Sequence, residues 1–498
     1  MTSVAAVVAW TGNPPGDGVL KSLQNCDAVS ETALVVPTDQ AAPFGQHAIL
    51  HSTCLWSTSA VVDALQWFEG TGATHLLWIL SPSPNFTEIG LKRLVDCAQD
   101  TSASIVYSDY FDLQSDGSAR LHPLVDYQPG SLRDDFDFGQ VVLLSSKSLD
   151  GLASRITEES ADLVLGGWYD LRLRLSERGP VVHVADPTYT LSPPQEGQDG
   201  GEAHFDYVDP RNRDYQIEME RIATAHLKRI GAFLDPPVAP LVDETAPFPV
   251  EASIVIPVKN RDRTVADAVG SALSQQASFD FNVIVVDNHS SDGTTKILAD
   301  IAQHEPRLVH RKPARTDLEI GGCWNKAIHS KQCGRYAVQL DSDDLFSSDD
   351  VLSRIVAEFQ CTGRAMVIGS YSIVNFDLQP IPPGLVDHRE WSDDNGHNNA
   401  LRIAGLGAPR AFHVPTLRTI DFPNISFGED YAVGLQMTRR YRIGRIYDSL
   451  YWCRRWEDNT DHAPSLETSN RFVAYKDRLR TIEIAARQRL QQERSRKA

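Results

Sequence analysis

Short apolar runs alternate with stretches of helical spacing along nearly the whole chain. In the first half, Ala5–Trp10, Ala33–Val36, Ala48–His51, Leu76–Leu80 and Ile105–Tyr107 have strand character. In the second half, Ser253–Val258, Asn282–Val286, Leu308–His310, Tyr336–Leu340 and Met366–Gly369 do. This rhythm of strand, helix and strand predicts βαβ units and a mostly parallel sheet. Such sheets bind ligands at the carboxyl ends of their strands. The expected fold class is therefore α/β, with two Rossmann-like sheets in tandem.

The pattern is written twice. Tyr336–Leu340 leads into Asp341-Ser342-Asp343-Asp344, and His75–Leu80 leads into Ser81-Pro82-Ser83-Pro84. Tyr169 and Tyr431 stand 262 positions apart, as do Tyr189 and Tyr451. That register sets Trp168 opposite Asp430, so one copy is rich in carboxylates where the other is neutral. Between the copies, Ser192–Gly201 reads as a loop and Arg211–Ile230 as a helix. The prolines of Pro236–Pro249 suggest a stiff, extended linker. The expected domains are 1–235, a linker at 236–250, 251–465, and a C-terminal helix at 466–498. In that helix Phe472, Tyr475, Leu479, Ile482, Ala486 and Leu490 recur at helical spacing among many Lys and Arg residues. It reads as a basic amphipathic helix, packed on a domain or a second subunit, or touching an anionic membrane surface.

A chain of 498 residues is too long for one core. Its formal charge of −19 argues against nucleic acid as the main partner. The seven dispersed cysteines form no CxxC pair and suggest reduced thiols and a cytoplasmic location. Met1–Trp10 lacks a basic flank and reads as a first strand, not a signal peptide. No run of apolar residues is long enough for a spanning helix.

Two carboxylates one residue apart, in a loop after a buried strand, can hold Mg²⁺ or Mn²⁺ against a diphosphate, because these ions prefer carboxylate, phosphate and water oxygens. Asp341 and Asp343 fit that placement. The competing reading is helix capping, since Ser347-Ser348-Asp349-Asp350 could open a helix.

The ordered series Ala252–Asn260, Val283–Thr294, Gly321–Ile328, Leu340–Asp344 and Gly428–Asp430 resembles the family 2 glycosyltransferases with the GT-A fold, over roughly residues 250–460. The first copy is similar to a degenerate GT-A domain. The resemblance implies that Pro257, Lys259 and Asn260 flank a nucleotide base. It implies that Asp287 bonds that base, that Asp292 shapes its loop, and that Asn325 lies in the donor site. Asp341, Ser342 and Asp343 would handle metal, diphosphate and ribose, with His462 as a candidate further metal ligand. Asp430 would be the general base of an inverting transfer, with Glu429 beside it. The implied partners are a UDP-, GDP- or dTDP-linked sugar and a carbohydrate or lipid-linked acceptor. A homodimer and a peripheral contact with the inner face of a membrane, through the C-terminal helix, are further expectations. Lys259 and Trp324 stand where many relatives have Tyr and Arg. Trp391–Ala400 and Gly405–Phe412 are expected to face the acceptor. Lacking a carboxylate at Ser81, Ser83 and Trp168, the first copy is expected to be catalytically silent. A nucleotidyltransferase or a nucleotide-sugar-binding scaffold remains the alternative; the former is disfavoured because Lys259–Arg263 contains no glycine.

Overall fold

The computed structural model describes residues 2–10, 17–39, 47–52, 54, 56–80, 84–87, 89–191, 212–243, 247–389, 391–456, 459 and 464–496. The chain forms two compact units. The first comprises Met1–Gly200, Asp214–Gly231 and Ser465–Thr481; the second comprises Gly201–Arg213, Ala232–Pro464 and Ile482–Ala498.

The main sheet of the first unit runs, in spatial order, 48–52, 29–37, 4–9, 75–79, 141–145, 105–108 and 181–184. All neighbours are parallel except the fifth strand, Val141–Ser145, which is antiparallel to both sides. Val4–Ala9 and His75–Ile79 are buried throughout, as expected of strands covered on both faces. The helix Thr58–Thr71 has both of its stops written locally. Ser57 accepts the N–H of Ala60 at 3.1 Å, and Gly72 closes the helix at φ +68°.

The second unit repeats this order. Its sheet runs 308–311, 281–287, 252–258, 336–339, 410–413, 366–375 and 443–455, then the short strand Leu345–Phe346. Again only the fifth strand of the shared seven, Arg410–His413, runs against its neighbours. The helix before the last long strand is Gly167–Ser176 in one unit and Glu429–Arg440 in the other. Each starts 262 positions from its counterpart, as do the strands beginning at Val181 and Ile443. The duplication read from the spacing of tyrosines is thus a duplication of topology.

The expected parallel strands are present. The antiparallel fifth strands and the hairpins Tyr110–His122 and Met366–Val386 were not anticipated. Residues Arg410–Phe412, expected in an acceptor-facing loop, belong to such a strand. Before it, residues 396–400 turn inward, while Ser392, Asp393 and Asp394 stay exposed. His397, Asn398 and Asn399 are buried, with His397 Nε2 at 2.7 Å and Asn398 Nδ2 at 2.9 Å from the Leu234 carbonyl. The proline-rich stretch after Leu234 lies along its own unit: Ala239 donates to the Arg440 carbonyl at 3.3 Å and Val242 to Thr416 Oγ1 at 3.3 Å.

The C-terminal helix spans Leu466–Ser495, but its buried face is not the expected apolar stripe. Asp477, Arg480, Glu483 and Arg487 are buried, whereas Ile482 is 62% exposed. Burial of charge is tolerated because each is matched. Within the first unit, Asp477 accepts from Ser131 at 2.8 Å and Arg480 at 2.7 Å. Within the second, Arg487 donates to Glu483 at 2.8 Å, Asn398 at 3.1 Å and the His397 carbonyl at 2.8 Å. A periodicity count of apolar residues could not foresee a helix seated on paired charges. Among the described residues, no helix is long and apolar enough to cross a membrane.

Candidate functional site

The second unit gathers its ionisable residues at the carboxyl edge of its parallel strands. The strand Tyr336–Gln339 ends in the loop Leu340–Asp344, and the short strand Leu345–Phe346 pairs back onto Tyr451–Trp452. This pairing fixes both ends of the carboxylate loop. Asp341 is held by Gln339, whose Nε2 lies 3.0 Å from each carboxylate oxygen, and by Tyr451, whose hydroxyl accepts the Asp341 N–H at 3.0 Å. Asp343 receives Trp456 Nε1 at 3.4 Å and Asn459 Nδ2 at 3.3 Å, with Arg261 Nε 3.7 Å away. Asp344 accepts the Arg454 N–H at 2.8 Å, while the Arg454 guanidinium bonds the Asp343 carbonyl and reaches Asp267 at 3.0 Å. The helix further along, Val351–Thr362, has Asp350 at its N-cap position without a side-chain capping bond, so capping does not account for the carboxylates of this loop.

Three carboxylates in four residues leave this loop short of positive charge. Burial pushes Asp341 up, against the opposing effect of Arg410 and of the Gln339 bond, and Asp343 adds to the rise. Burial pushes Asp344 up further, reinforced by Asp343 and Asp341. A bound divalent cation would offset this charge. Among the described residues no three His, Cys, Asp or Glu side chains converge on one point. Binding through one or two carboxylates, completed by phosphate and water, is how Mg²⁺ and Mn²⁺ are commonly held. The residues therefore fit such an ion. His462 lies outside the described residues.

Asp430 is the second residue of the helix Glu429–Arg440, which Gly428 introduces at φ +84°. Its Oδ2 lies 2.8 Å from Arg410 Nη1. Its partner Glu429 is 9% exposed, and Glu429 Oε2 is buried without a hydrogen-bond partner. Burial and then the Asp430 charge push Glu429 up to about 8. The folded chain thus holds a proton there that an unfolded carboxyl releases near 4.5. The stabilising contribution is complete below that value and is lost as pH rises through about 8. Wild-type protein is accordingly expected to lose thermal stability between about pH 5 and pH 8, and Glu429→Gln to lose less over the same range. Parallel melting curves for the two would show that Glu429 is ionised in the fold.

The base-side residues form a loop-to-loop clasp at the ends of Ala252–Val258 and Phe281–Asp287. Asn260, at φ +54°, accepts the Ser291 N–H at 2.8 Å, and its own N–H donates to Ser290 at 3.0 Å. Asp292 accepts from Asp262 N–H at 3.1 Å and from Thr294 N–H at 2.9 Å. Lys259 is exposed and Pro257 half-buried. Asp287 is fully buried and already engaged by Ser290 N–H at 2.9 Å, Thr295 at 2.5 Å and His310 at 3.4 Å. Burial alone would raise it, but these bonds more than offset that and hold it low. It anchors the loop 288–295, and a bond to a base would require exchange of one of these donors. Asn325 is likewise engaged: its amide grips Phe422 through the carbonyl at 2.8 Å and the N–H at 2.9 Å, fixing the loop that leads to Gly428. Ser342 is buried within the carboxylate loop. Trp324 stacks on Phe422 at 5.1 Å and is structural.

The matching place in the first unit is apolar. Counted from the strand starts, Trp78 in His75–Ile79 takes the place of Gln339 in Tyr336–Gln339, and this register sets Leu80, not the expected Ser81, opposite Asp341. Trp78 pairs with Val142 on the antiparallel strand, where the second unit has Arg410. Trp168, second in its helix, lies 5.5 Å from Trp78 ring to ring, where the second unit has Asp430. Ser81, Pro82 and Ser83 lie outside the described residues. Tyr189 keeps the role of its repeat partner, facing Phe86 at 6.4 Å as Tyr451 faces Phe346 at 6.4 Å. The repeated tyrosine was legible as a spacing; the bond of Tyr451 to the carboxylate loop and the part played by Gln339 were not.

Comparison with known proteins finds relatives over part of the chain. The succinoglycan biosynthesis protein ExoO of Rhizobium meliloti is 29% identical over 127 residues, covering 26% of this chain and 35% of that protein. The chondroitin synthase of Escherichia coli is 33% identical over 134 residues, covering 27% of this chain and 16% of that protein. The UDP-Glc:alpha-D-GlcNAc-diphosphoundecaprenol beta-1,3-glucosyltransferase WfgD of Escherichia coli is 24% identical over 195 residues, covering 39% and 72%. The chain thus spans about a third or less of the length of the first two of these relatives. Residues 253–409 match the family described as Glycosyl transferase family 2, so the second unit carries the sequence pattern of that family through the base-side loops and the Asp341–Asp344 loop, while Arg410, Asp430 and Tyr451 lie beyond the matched residues.

Proposed function

We propose that the second unit is a metal-dependent, inverting glycosyltransferase that moves a sugar from a UDP-, GDP- or dTDP-linked donor to a hydroxyl of a carbohydrate or lipid-linked acceptor. The observation that carries this reading is the joining of the Asp341–Asp344 loop to Asp430 through Gln339 and Arg410, at the ligand-binding edge of the sheet. Held by Asp341 and Asp343, Mg²⁺ or Mn²⁺ would offset the diphosphate charge and ease departure of the nucleotide. Asn260 and Asp292 shape the base pocket, with Pro257 and Lys259 on its wall. Asp430 takes the proton of the acceptor hydroxyl as that oxygen attacks the anomeric carbon opposite the leaving nucleotide. Asp430 sits on the first turn of a helix, so its position is set by a rigid element, which suits a base that must meet an incoming hydroxyl. The first unit, with Trp78, Val142 and Trp168 in the corresponding places, is a catalytically silent copy. Substrates of this kind would place the chain in the cytoplasm, at the inner face of a membrane where the acceptor is lipid-linked.

Calorimetric titration with UDP-, GDP- and dTDP-sugars, with and without Mn²⁺, tests the reading. One nucleotide class is expected to bind at least about tenfold more tightly with the metal, a difference of about 1.4 kcal/mol. Binding of no donor, or binding indifferent to metal, would refute it.

A further inference from the structure

We infer that Gln339 and Arg410 are positioning residues that join the metal-side carboxylate Asp341 and the base Asp430 into one hydrogen-bonded unit. The inference deepens the transferase reading above and rests on it. Gln339 works in both directions. Its Nε2 donates toward both Asp341 oxygens at 3.0 Å, and its Oε1 accepts the backbone N–H of Arg410 at 3.2 Å. Arg410 continues the line. Its Nη1 is tied to the Gly407 carbonyl at 2.8 Å and to Asp430 Oδ2 at 2.8 Å. Gln339 is buried at 4% exposure and lies at the end of a strand, while Arg410 opens the antiparallel strand beside it. Adjacent strands of one sheet therefore set the separation of Asp341 and Asp430.

A one-ångström error between donor and acceptor geometry can cost a hundredfold in rate. A bridge built on strand backbones limits such errors better than two independent loops would. The first unit supplies the internal comparison. There the three corresponding positions hold Trp78, Val142 and Trp168, so the bridge and the base are missing together while the strand order is kept. Residues that served only the sheet would have no reason to differ as a set with the base.

The test uses the full chain, with Mn²⁺ alone and Mn²⁺ with UDP, GDP or dTDP as binding probes, and kcat measured with the donor that binds. Gln339→Met keeps the side-chain volume and removes the donor. It is expected to weaken Mn²⁺-dependent nucleotide binding by about tenfold, because Asp341 loses the side-chain amide that holds both of its oxygens. Arg410→Met keeps the backbone N–H that Gln339 holds, and is expected to weaken that binding less than Gln339→Met does while lowering kcat by about a hundredfold. In an Asp430→Asn background, Arg410→Met should lower kcat no further, since its effect passes through Asp430. Arg410→Lys, which keeps the charge but not the fork, should recover part of the loss. Unaltered binding in Gln339→Met, or a full additive loss in the Asp430→Asn background, overturns the inference. Should Arg410→Met fail to fold, the Arg410→Lys pair of measurements decides the same point. A wild-type chain that binds metal and nucleotide but transfers no sugar overturns the proposed function, and the role of Arg410 with it, while the binding arm still decides on Gln339.

Discussion

Asp430→Asn is expected to bind metal and donor as the wild-type chain does while losing turnover by a factor of about 10²–10⁴, the range set by general-base catalysis. The substitution keeps the shape of the side chain and an oxygen for Arg410 Nη1, now 2.8 Å from Oδ2. The Tyr431 N–H, 2.7 Å from Oδ1, then faces the amide NH2, which cannot accept it, at a local cost of about one hydrogen bond. What it removes is the capacity to accept a proton. Asp430 touches neither Asp341 nor Asp343 directly among the contacts described above, so the donor side has no reason to change. The measurement is kcat and donor Kd on the same preparation. Wild-type turnover in Asp430→Asn would remove this residue as the base, and a parallel collapse of donor binding would recast it as part of the donor site. Glu429 would not substitute easily: its buried Oε2 is without a partner, and its raised value keeps it protonated where a base must be free.

Much of this arrangement was legible before any coordinates, and the reasons are specific. The parallel strands were readable because strands buried on both faces carry unbroken apolar runs, as in Val283–Val286. The duplication was readable because helix and strand in the last part of each copy keep one spacing, from Gly167 to Glu429 and from Val181 to Ile443. Asp341, Asp343 and Asp430 were read through a motif order; the first two follow the strand Tyr336–Gln339, and the third, on the helix Glu429–Arg440, pairs with Arg410 at the start of the neighbouring strand. The antiparallel strand Arg410–His413 was missed because it is short and its apolar residues are few, so neighbours decide its conformation. Gln339 was missed because nothing local marks a glutamine at a strand end as a bridge; its meaning comes from Arg410, far along the chain. The C-terminal helix misled because apolar periodicity assumes that helices bury apolar side chains. Asp477, Arg480, Glu483 and Arg487 are buried instead, each with an ionic or hydrogen-bonded partner. Asn325 and Asp287 show a related limit: a motif locates a residue at the site but does not say whether its polar atoms face a ligand or the protein.

Asp341→Asn is expected to abolish metal-dependent donor binding and to lower activity at least about a thousandfold, while making the fold no less stable. Asparagine preserves an oxygen for Gln339 Nε2, and the Asp341 N–H bond to Tyr451 belongs to the backbone. The structural cost is therefore small. The electrostatic change is large and has the opposite sign. Burial already disfavours the charged form of Asp341, and Asp343 disfavours it further. Asp344, buried behind them, is raised by both neighbours and would be relieved by neutralising one. Removing a charge that the fold holds at a cost should raise Tm, by about 2–4 °C for each kcal/mol relieved in a domain of this size. The gain should grow as pH rises, because a group with a raised value weakens the fold as it ionises. Melting curves in metal-free buffer at two pH values, beside calorimetry with Mn²⁺ and nucleotide, provide both readouts. A variant that loses stability together with metal binding would assign Asp341 to the architecture of the loop. A variant that gains stability while losing the ligand would show that the carboxylate cluster is kept for the cation it holds, at the expense of the empty fold.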